Sequence, residues 1–195
     1  MVKITDMQLG PDKIVWCDSF KYLGISFTAG KSFRVNIDII KHKFFAACNS
    51  ILGNSCSLDQ LIQLQLHESF CLPLLQYGLC AVRLTSTQCA DLNCCWNTVF
   101  RRIFHLRKYD SVRLCIWGLN RLDFHHMRLN LLLKFVKNCL LSSNVIIQFF
   151  GRLFILGKEF KHECNIIGLN PKSVANLSFY AVRCAVSEHF AASNN

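Results

Sequence analysis

Alternating apolar residues mark one short stretch near the start of the chain. Residues 19–27, SFKYLGISF, carry aromatic and β-branched side chains that suit a half-buried β-sheet. The alternation predicts two faces, occupied first by Phe20 and Tyr22 and then by Leu23, Ile25 and Phe27. Gly24 falls at the changeover, where the missing Cβ permits a bulge or a tight turn. We therefore predict a two-strand hairpin, with a further short strand at residues 14–16.

From residue 35 onward, apolar residues recur at spacings of three and four, which is the period of an amphipathic α-helix. Helices are predicted over about residues 35–53, 58–72, 74–84, 88–106, 112–119, 124–141 and 173–190. Ser57 is the predicted cap of the second helix, and Pro73 is predicted to break or kink it. Residues 85–87 are the predicted cap of the fourth. Residues 145–157 are predicted to form a buried core helix, and residues 159–171 a polar loop.

The second helix carries Leu58, Leu61, Ile62, Gln65 and Ser69 along one side, with Leu66 and Phe70 beside them. The fourth helix has a predicted buried stripe made of Leu92, Cys95, Trp96, Val99, Ile103 and Leu106. The sequence thus predicts a mainly α fold, a helical bundle preceded by a short N-terminal β-hairpin. We predict three units, at residues 1–33, 34–141 and 142–195.

Charge indicates a class of partner. The chain has 22 Lys and Arg against 12 Asp and Glu, a formal net charge of +10. Nine of the basic residues lie between positions 101 and 137, where only Asp110 and Asp123 oppose them. Such a distribution favours a polyanionic partner. The most apolar run, residues 145–157, is shorter than the roughly 20 residues of a membrane span, so no membrane partner is predicted.

Cysteine and histidine do not show the spacing of a metal site. The 12 cysteines include no C-x-x-C pair, and many occupy apolar positions of helical patterns, where Cys behaves as a small hydrophobe. His125 and His126 are adjacent and point about 100° apart on a helix. We therefore predict free thiols, no metal, no cofactor and an intracellular location in nucleus or cytoplasm, because the N-terminus lacks a secretory signal pattern.

Four stretches, in order, carry a resemblance to a known family. They are residues 19–24 (SFKYLG), 43–52 (KFFAACNSIL), 68–78 (ESFCLPLLQYG) and 92–104 (LNCCWNTVFRRIF). Together they resemble the end of the palm and the thumb of reverse transcriptases from LINE-type retrotransposons, which lack long terminal repeats. The resemblance implies that residues 1–33 end a palm, that 34–141 form a thumb-like domain and that 142–195 are a C-terminal extension.

The resemblance also implies which residues meet nucleic acid. The hairpin steadies the primer terminus in that family, which assigns the role to Phe20, Lys21, Tyr22, Leu23 and Gly24. On the fourth predicted helix and just beyond it, the polar residues outside the apolar stripe become candidate contacts to RNA or an RNA–DNA duplex: Asn93, Asn97, Arg101, Arg102, Arg107 and Lys108. Arginine suits this role because its planar fork pairs with phosphate oxygens.

No catalytic residues are assigned. Nucleotidyl transfer needs carboxylates that converge on two Mg²⁺ ions, and the family places them in an adjacent Asp-Asp pair that this sequence does not contain. We therefore expect a non-catalytic fragment of a retrotransposon RNA-directed DNA polymerase, whose missing palm would be a partner. The alternative is a basic helical module that binds protein, or a relic with no function and no role with nucleic acid.

Overall fold

The structure is a computed structural model that describes residues 8–13, 16–30, 34–79 and 82–193. The strand predicted at residues 14–16 lies outside these residues except for Trp16. The prediction of a mainly α fold preceded by a short β element is confirmed. Two antiparallel sheets come first, made of β1 (Gln8–Leu9) with β2 (Asp12–Lys13), and of β3 (Ser19–Tyr22), β4 (Ile25–Thr28) and β5 (Arg34–Val35).

The helices follow in a continuous series. They are α1 (Asp38–Asn54), α2 (Gln60–Leu66), a π-helical turn (His67–Cys71), α3 (Leu72–Gln76), α4 (Ser86–Ile103), α5 (Val112–Gly118) and α6 (Phe124–Leu140). After them come α7 (Val145–Leu156), α8 (Lys158–Ile166), a 3₁₀ turn (Pro171–Ser173) and α9 (Phe179–Ala192).

The hairpin is confirmed, but the prediction that Ile25 and Phe27 lie on the face opposite to Phe20 and Tyr22 is wrong. Leu23 (φ 46°) and Gly24 (φ 82°) form a two-residue turn, so Tyr22 pairs with Ile25 and Phe20 with Phe27. Directly paired residues of an antiparallel sheet share a face, and the rings of Phe20 and Phe27 stack with centroids 5.4 Å apart. Alternation counted straight through residues 20–27 assigns β4 to the wrong face, because the two-residue turn reverses the chain and pairs the strands.

The second helix is rotated relative to the prediction. Its N-cap is Asp59 rather than Ser57, because the Asp59 carboxylate accepts a hydrogen bond from the Leu61 N–H at 3.0 Å. Leu61 and Ile62 are exposed, and the buried side carries Gln63, Leu64, His67 and Cys71. Gln63 tolerates burial because its side-chain amide donates to the carbonyls of Ser55 and Leu58. The apolar pattern therefore did not reveal the buried face, because two of its residues are polar.

Pro73 lies in the first turn of α3, immediately after the π-helical turn. The chain stays helical through that turn, with the Leu72 N–H donating to the His67 carbonyl. The helix predicted to resume over 74–84 instead ends at Gln76, because Gly78 takes a positive φ of 68°. Residues 80 and 81 lie outside the described part of the chain.

Two buried clusters form the core, and α6 contributes to both. The first contains Phe44, Leu75, Trp96, Phe100 and Phe124 among others. The second contains Leu129, Leu133, Phe160, Val182 and Val186 among others. The change from one cluster to the other therefore occurs within α6, whereas the unit boundary at residue 142 stays a prediction. Lys137 links α6 to the segment before α9, since its Nζ donates to the carbonyls of Ala175 (2.8 Å) and Leu177 (2.5 Å).

The C-terminal third differs from the prediction in three places. The apolar segment at 145–157 forms α7, but it is not a buried core helix: Val145 is 77% exposed, and of this helix only Gly151 is buried. The loop predicted at 159–171 contains α8, whose Phe160 and Cys164 turn inward one helical turn apart. The last helix starts at Phe179, because the Ser178 hydroxyl caps it by accepting from the Ala181 N–H.

Gly151 permits the close approach of α7 and α6. A Cβ at this position would lie 3.1 Å from both the Cys139 Cβ and the Leu140 backbone N. Neither atom is the end of a flexible side chain that could move away, so the contact can be relieved only by a shift of the helices. Gly53 in α1 has open space around it. Glycine is normally the poorer helix former by about 1 kcal/mol relative to alanine. The two glycines therefore serve as matched tests of this contact.

We predict opposite effects for the two glycine-to-alanine substitutions. Gly53→Ala should raise the free energy of unfolding by up to about 1 kcal/mol. Gly151→Ala should lower it by about 1–3 kcal/mol, because α7 must shift away from α6. Urea unfolding of both variants provides the measurement. Equal stabilisation by both would show that α7 does not pack on α6 through this glycine.

A histidine pair joins α6 to α9. The Asp123 carboxylate accepts from the His126 Nδ1–H at 2.7 Å, and the His126 Nε2 lies 3.0 Å from the His189 Nδ1. Burial acts to raise the pKa of Asp123, but the hydrogen bonds from His126 outweigh it and lower that pKa. Burial also lowers the pKa of His189, and nearby His126, His125 and Arg113 lower it further, against the opposing Asp123 carboxylate.

We predict that stability falls as the pH drops from about 7.5 to 5.5. The unfolded chain protonates His189 at a higher pH than the folded chain does, so acid favours the unfolded state. His189→Asn removes the titrating group and should make the fall in melting temperature smaller. His42→Asn, on the exposed side of α1, is the control and should keep the wild-type fall. An identical fall in all three proteins would contradict this assignment.

Candidate nucleic-acid interface

Helix α4 is fixed at its start and along one side. Its N-terminus is closed by a reciprocal capping box, in which Thr85 accepts from the Gln88 N–H and Gln88 accepts from the Thr85 N–H. The predicted stripe is confirmed as its buried side, except that Leu106 lies beyond the helix and is half-buried, and Phe100 is also buried. Because α4 is fixed at its start and along its buried side, its last turn places Arg101 and Arg102 near the surface.

The loop after α4 folds back onto its last turn. The Arg101 guanidinium donates to the Arg107 carbonyl at 2.6 Å, and the Asp110 carboxylate accepts from the Arg107 N–H at 2.6 Å. The Arg102 guanidinium donates to the side-chain oxygen of Asn49 in α1. Four predicted site residues are therefore brought together, and we call them the basic end of α4: Arg101, Arg102, Arg107 and Lys108.

The basic end of α4 gathers four basic side chains close together, and none of them has an acidic partner among the described residues. Elsewhere, ion pairs join Lys41 to Asp38, Arg83 to Glu159, Arg121 to Glu68 and Arg128 to Glu163. Within the described part of the chain, no carboxylate forms an ion pair with the basic end of α4. The Asp110 carboxylate is nearby but binds a backbone N–H. Positive charge at this surface is consequently little neutralised.

Two further residues join this surface that the sequence did not indicate. Asn49 is brought to it by α1, and Tyr109 follows Lys108 with 91% of its surface exposed. The Lys108 Nζ lies 5.8 Å from the centre of the Tyr109 ring, within the range of a cation–π contact. An exposed aromatic next to basic residues is a signal for base stacking. The adjacent letters K-Y were the only trace of it in the sequence.

The two predicted asparagines lie differently from the arginines. The Asn93 side-chain oxygen accepts from the Phe124 N–H at 3.1 Å and so holds the start of α6. Asn97 is half-buried, and its side-chain oxygen is buried without a hydrogen-bond partner among the described residues. Asn93 is thus engaged in helix packing. Of the two, Asn97 alone retains an unused acceptor.

The hairpin residues lie at the other end of α4. The Gln88 side-chain amide donates to the Val35 carbonyl at 2.7 Å, which ties the start of α4 to the hairpin's sheet. A Cβ on Gly24 would lie 3.3 Å from the Tyr77 ring, so the hairpin tip packs on the turn after α3. Gln88 and Arg102 are about 20 Å apart along the helix. The structure therefore does not bring Phe20, Lys21, Tyr22, Leu23 and Gly24 together with the basic end.

A groove of about 1140 Å³ lies where α4, α6, α7 and α8 meet. Phe150, Leu153 and Phe154 of α7 form its apolar side. Four of its five lysine, arginine and glutamate residues form ion pairs, Arg83 with Glu159 at 2.9 Å and Arg128 with Glu163 at 3.6 Å, and the fifth is Lys158. The groove therefore offers apolar surface with little net charge. Sequence patterns missed it because they placed α7 in the core.

One cluster of side chains could hold a metal ion. Cys48 of α1 meets His67 and Cys71 of the π-helical turn, and their ligand atoms all lie within 4.8 Å of one another. The sequence predicted no metal because it contains no C-x-x-C pair. His67 and Cys71 are four residues apart, but Cys48 comes from a separate element, and spacing rules do not detect such a meeting.

Comparison with known proteins finds no match to this chain among family models, curated proteins or solved structures. The resemblance to LINE-type reverse transcriptases stays a prediction. No helix within the described ranges has both the length and the apolar character needed to cross a bilayer.

The eleven described cysteines are free thiols, and Cys80 lies outside the described residues. Cys17, Cys56 and Cys94 are exposed, whereas Cys48, Cys71, Cys95 and Cys164 are buried. Burial raises the pKa of each buried thiol, that of Cys164 to about 12 with help from the Glu163 carboxylate. A raised pKa removes the reactive thiolate at neutral pH.

We predict two classes of thiol reactivity toward a colorimetric disulfide reagent at neutral pH. Among the eleven described cysteines, three should react fast in the native protein, and replacing these three exposed cysteines with serine should remove their share of the fast phase. Full reactivity should appear only after denaturation without reductant. Recovery of few thiols in the denatured protein would indicate disulfides and would contradict the free-thiol assignment.

Proposed function

We propose that this chain binds RNA or an RNA–DNA duplex through the basic end of α4, as a thumb-like and non-catalytic part of a retrotransposon RNA-directed DNA polymerase. The observation that carries the proposal is the group of four basic residues without ion-pair partners in the described chain. The ordered resemblance of four sequence stretches supports the family. A hairpin followed by helices is the arrangement that this resemblance implies.

Phosphate is the chemical group that suits this surface. A guanidinium has five N–H donors, and the contacts of Arg101 to Arg107 and of Arg102 to Asn49 each use one terminal nitrogen. The remaining donors can reach phosphate oxygens while the first contact holds the side chain in place. Binding by this means releases counterions and carries little base specificity. Tyr109 adds a flat ring for an unpaired base.

The hairpin has a separate role in the proposal. Its exposed tip, with Tyr22 and Leu23, would contact the primer terminus, as the resemblance implies. Gln88, which joins α4 to the hairpin's sheet, lies about 20 Å along the helix from Arg102, a length that corresponds to about six nucleotides of a strand. No polymerisation is proposed for this chain, because its sequence lacks the adjacent carboxylates of a two-metal site.

A second candidate function is protein binding. The observation that favours it is the exposed apolar surface of α7, where Val145, Ile146, Phe149 and Phe150 are all uncovered in the structure. Large exposed apolar patches often mark interaction surfaces. The absent palm of the parent polymerase is the partner that the resemblance would supply. Salt separates the two candidates, because phosphate binding weakens with salt and apolar association does not.

We predict that the affinity for an RNA–DNA duplex falls with salt, with a log–log slope near −0.9 per phosphate neutralised, as for B-form DNA. Replacing Arg101 and Arg102 with Gln keeps helix propensity and should reduce the magnitude of that slope by about two units. The measurement is fluorescence anisotropy of a labelled duplex over a fourfold range of salt.

The matched control is the double variant Lys161→Gln and Lys172→Gln. It removes the same charge from exposed positions remote in sequence from α4, so it should leave the slope nearly unchanged. Equal slopes for both double variants would mean that net charge, rather than this surface, drives binding. An unchanged slope with a lower melting temperature would make Arg101 and Arg102 structural residues.

A further inference from the structure

Three side chains with metal-binding atoms meet inside the first buried cluster. Cys48 is 1% exposed, and His67 and Cys71 are fully buried. Their ligand atoms lie within 4.8 Å of one another. With metal–sulfur bonds of about 2.3 Å, three donors at 120° around one ion lie about 4 Å apart. Side-chain adjustments of less than about 1 Å would therefore bring the three donors into the first shell of a single ion.

The tautomer of His67 is set by its neighbour. The His67 Nδ1 lies 2.7 Å from the Gln63 carbonyl, which can only accept, so Nδ1 carries the proton. The Nε2 lone pair is then free, and this buried atom has no hydrogen-bond partner among the described residues. A metal-ligating histidine characteristically donates its other N–H to a carbonyl or carboxylate. Gln63 is itself held by the Ser55 and Leu58 carbonyls.

Two of the ligands are the first and last residues of the π-helical turn, whose backbone bond from the Leu72 N–H to the His67 carbonyl spans five residues instead of four. Residues four apart lie on the same side of a helix, and both His67 and Cys71 are buried beside Cys48 of α1. Single π-helical turns inside α-helices frequently occur at functional sites. Pro73 follows the turn and lacks the N–H that regular helical pairing would use.

The donor set selects the class of ion. Two cysteine sulfurs and one imidazole favour soft or borderline metals over Mg²⁺ or Ca²⁺. Structural Zn²⁺ requires four ligands, whereas three donors meet here and their side chains are shielded from bulk solvent. Cu(I) is a soft d¹⁰ ion that accepts three ligands in a plane. We propose that Cys48, His67 and Cys71 form a buried, three-coordinate Cu(I) site.

Charge and protons balance in this assignment. Binding of Cu(I) displaces one proton from each thiol, so the site with two thiolates and one cation carries a net charge of −1. A thiol that coordinates a metal gives up its proton, so the ion at two buried thiols must be strongly thiophilic. The positive charge of Arg102 acts on Cys48 and therefore offsets part of the negative charge of the loaded site.

The test uses the full chain with Cys17, Cys56 and Cys94 replaced by Ser, which removes the exposed thiols that bind copper non-specifically. Reduced protein is refolded anaerobically with Cu(I) supplied as its acetonitrile complex, and loose copper is removed with a Cu(I) chelator. We expect one retained Cu(I) per chain, a higher melting temperature than the metal-free protein, and an X-ray absorption spectrum with two sulfur neighbours and one nitrogen neighbour.

Matched variants assign the ligands. His67→Gln should weaken copper retention by at least about tenfold, and Cys48→Ser should abolish it. Cys164→Ser removes an equally buried cysteine from the second cluster and should retain the ion. Absence of retained copper in the parent chain, an all-sulfur shell, or equal loss in Cys164→Ser would overturn the proposal. Tighter retention of Zn²⁺ than of Cu(I) in parallel refolding would overturn the choice of ion. The parent-chain spectrum decides the question even where a variant fails to fold.

Discussion

Burial of one side of α4 is the interaction on which the other elements depend. Trp96 and Phe100 are fully buried, and their rings meet edge to face with centroids 5.2 Å apart. Helix α4 contacts α1, α2, α5 and α6, so its rotation about its own axis sets where each neighbour can pack. The same rotation carries Arg101 and Arg102 to the surface of the last turn. Core packing and surface charge are therefore consequences of one helix pattern.

The basic end of α4 and the buried metal-ligand cluster lie on two sides of α1. Adjacent residues of a helix point about 100° apart, so α1 directs Cys48 into the core and Asn49 outward to Arg102. An ion at Cys48 would tie α1 to the π-helical turn directly behind Asn49. Two proposals that rest on separate observations thus share a helix, and each can fail without the other.

Sequence patterns predicted this structure well where burial follows hydrophobicity. The capping residues and the apolar stripe predicted nearly all of α4, and the same helical spacing of apolar residues predicted α1, α5 and α6. They failed at α2 and the π-helical turn, where Gln63 is buried with its amide donating to backbone carbonyls and His67 is buried with one of its two ring nitrogens so bonded. They failed again at α7, whose apolar residues lack a covering element among the described residues. The spacing of apolar residues along the sequence does not show which apolar helix face will be covered by another element.

The candidate sites were predictable in proportion to how local they are. Arg101, Arg102, Arg107 and Lys108 are close in sequence, and their clustering was visible as charge. The separation between the hairpin and this cluster, and the inward role of Asn93, depend on tertiary contacts. His67 and Cys71 are four residues apart and share one side of a helix, but their meeting with Cys48 depends on packing against α1, which spacing along the sequence does not reveal.

Cross-linking with residue-level mass spectrometry is the most direct test of whether an RNA–DNA duplex binds at the basic end of α4. An RNA–DNA duplex that carries photoreactive thio-nucleotides would be irradiated with the full chain at low salt, and the modified peptides mapped. If the duplex binds there, we expect cross-links concentrated within residues 101–109, with Tyr109 as the main acceptor because the residue is 91% exposed. Cross-links confined to α7, α8 or α9, with none in residues 101–109, would contradict binding at this surface.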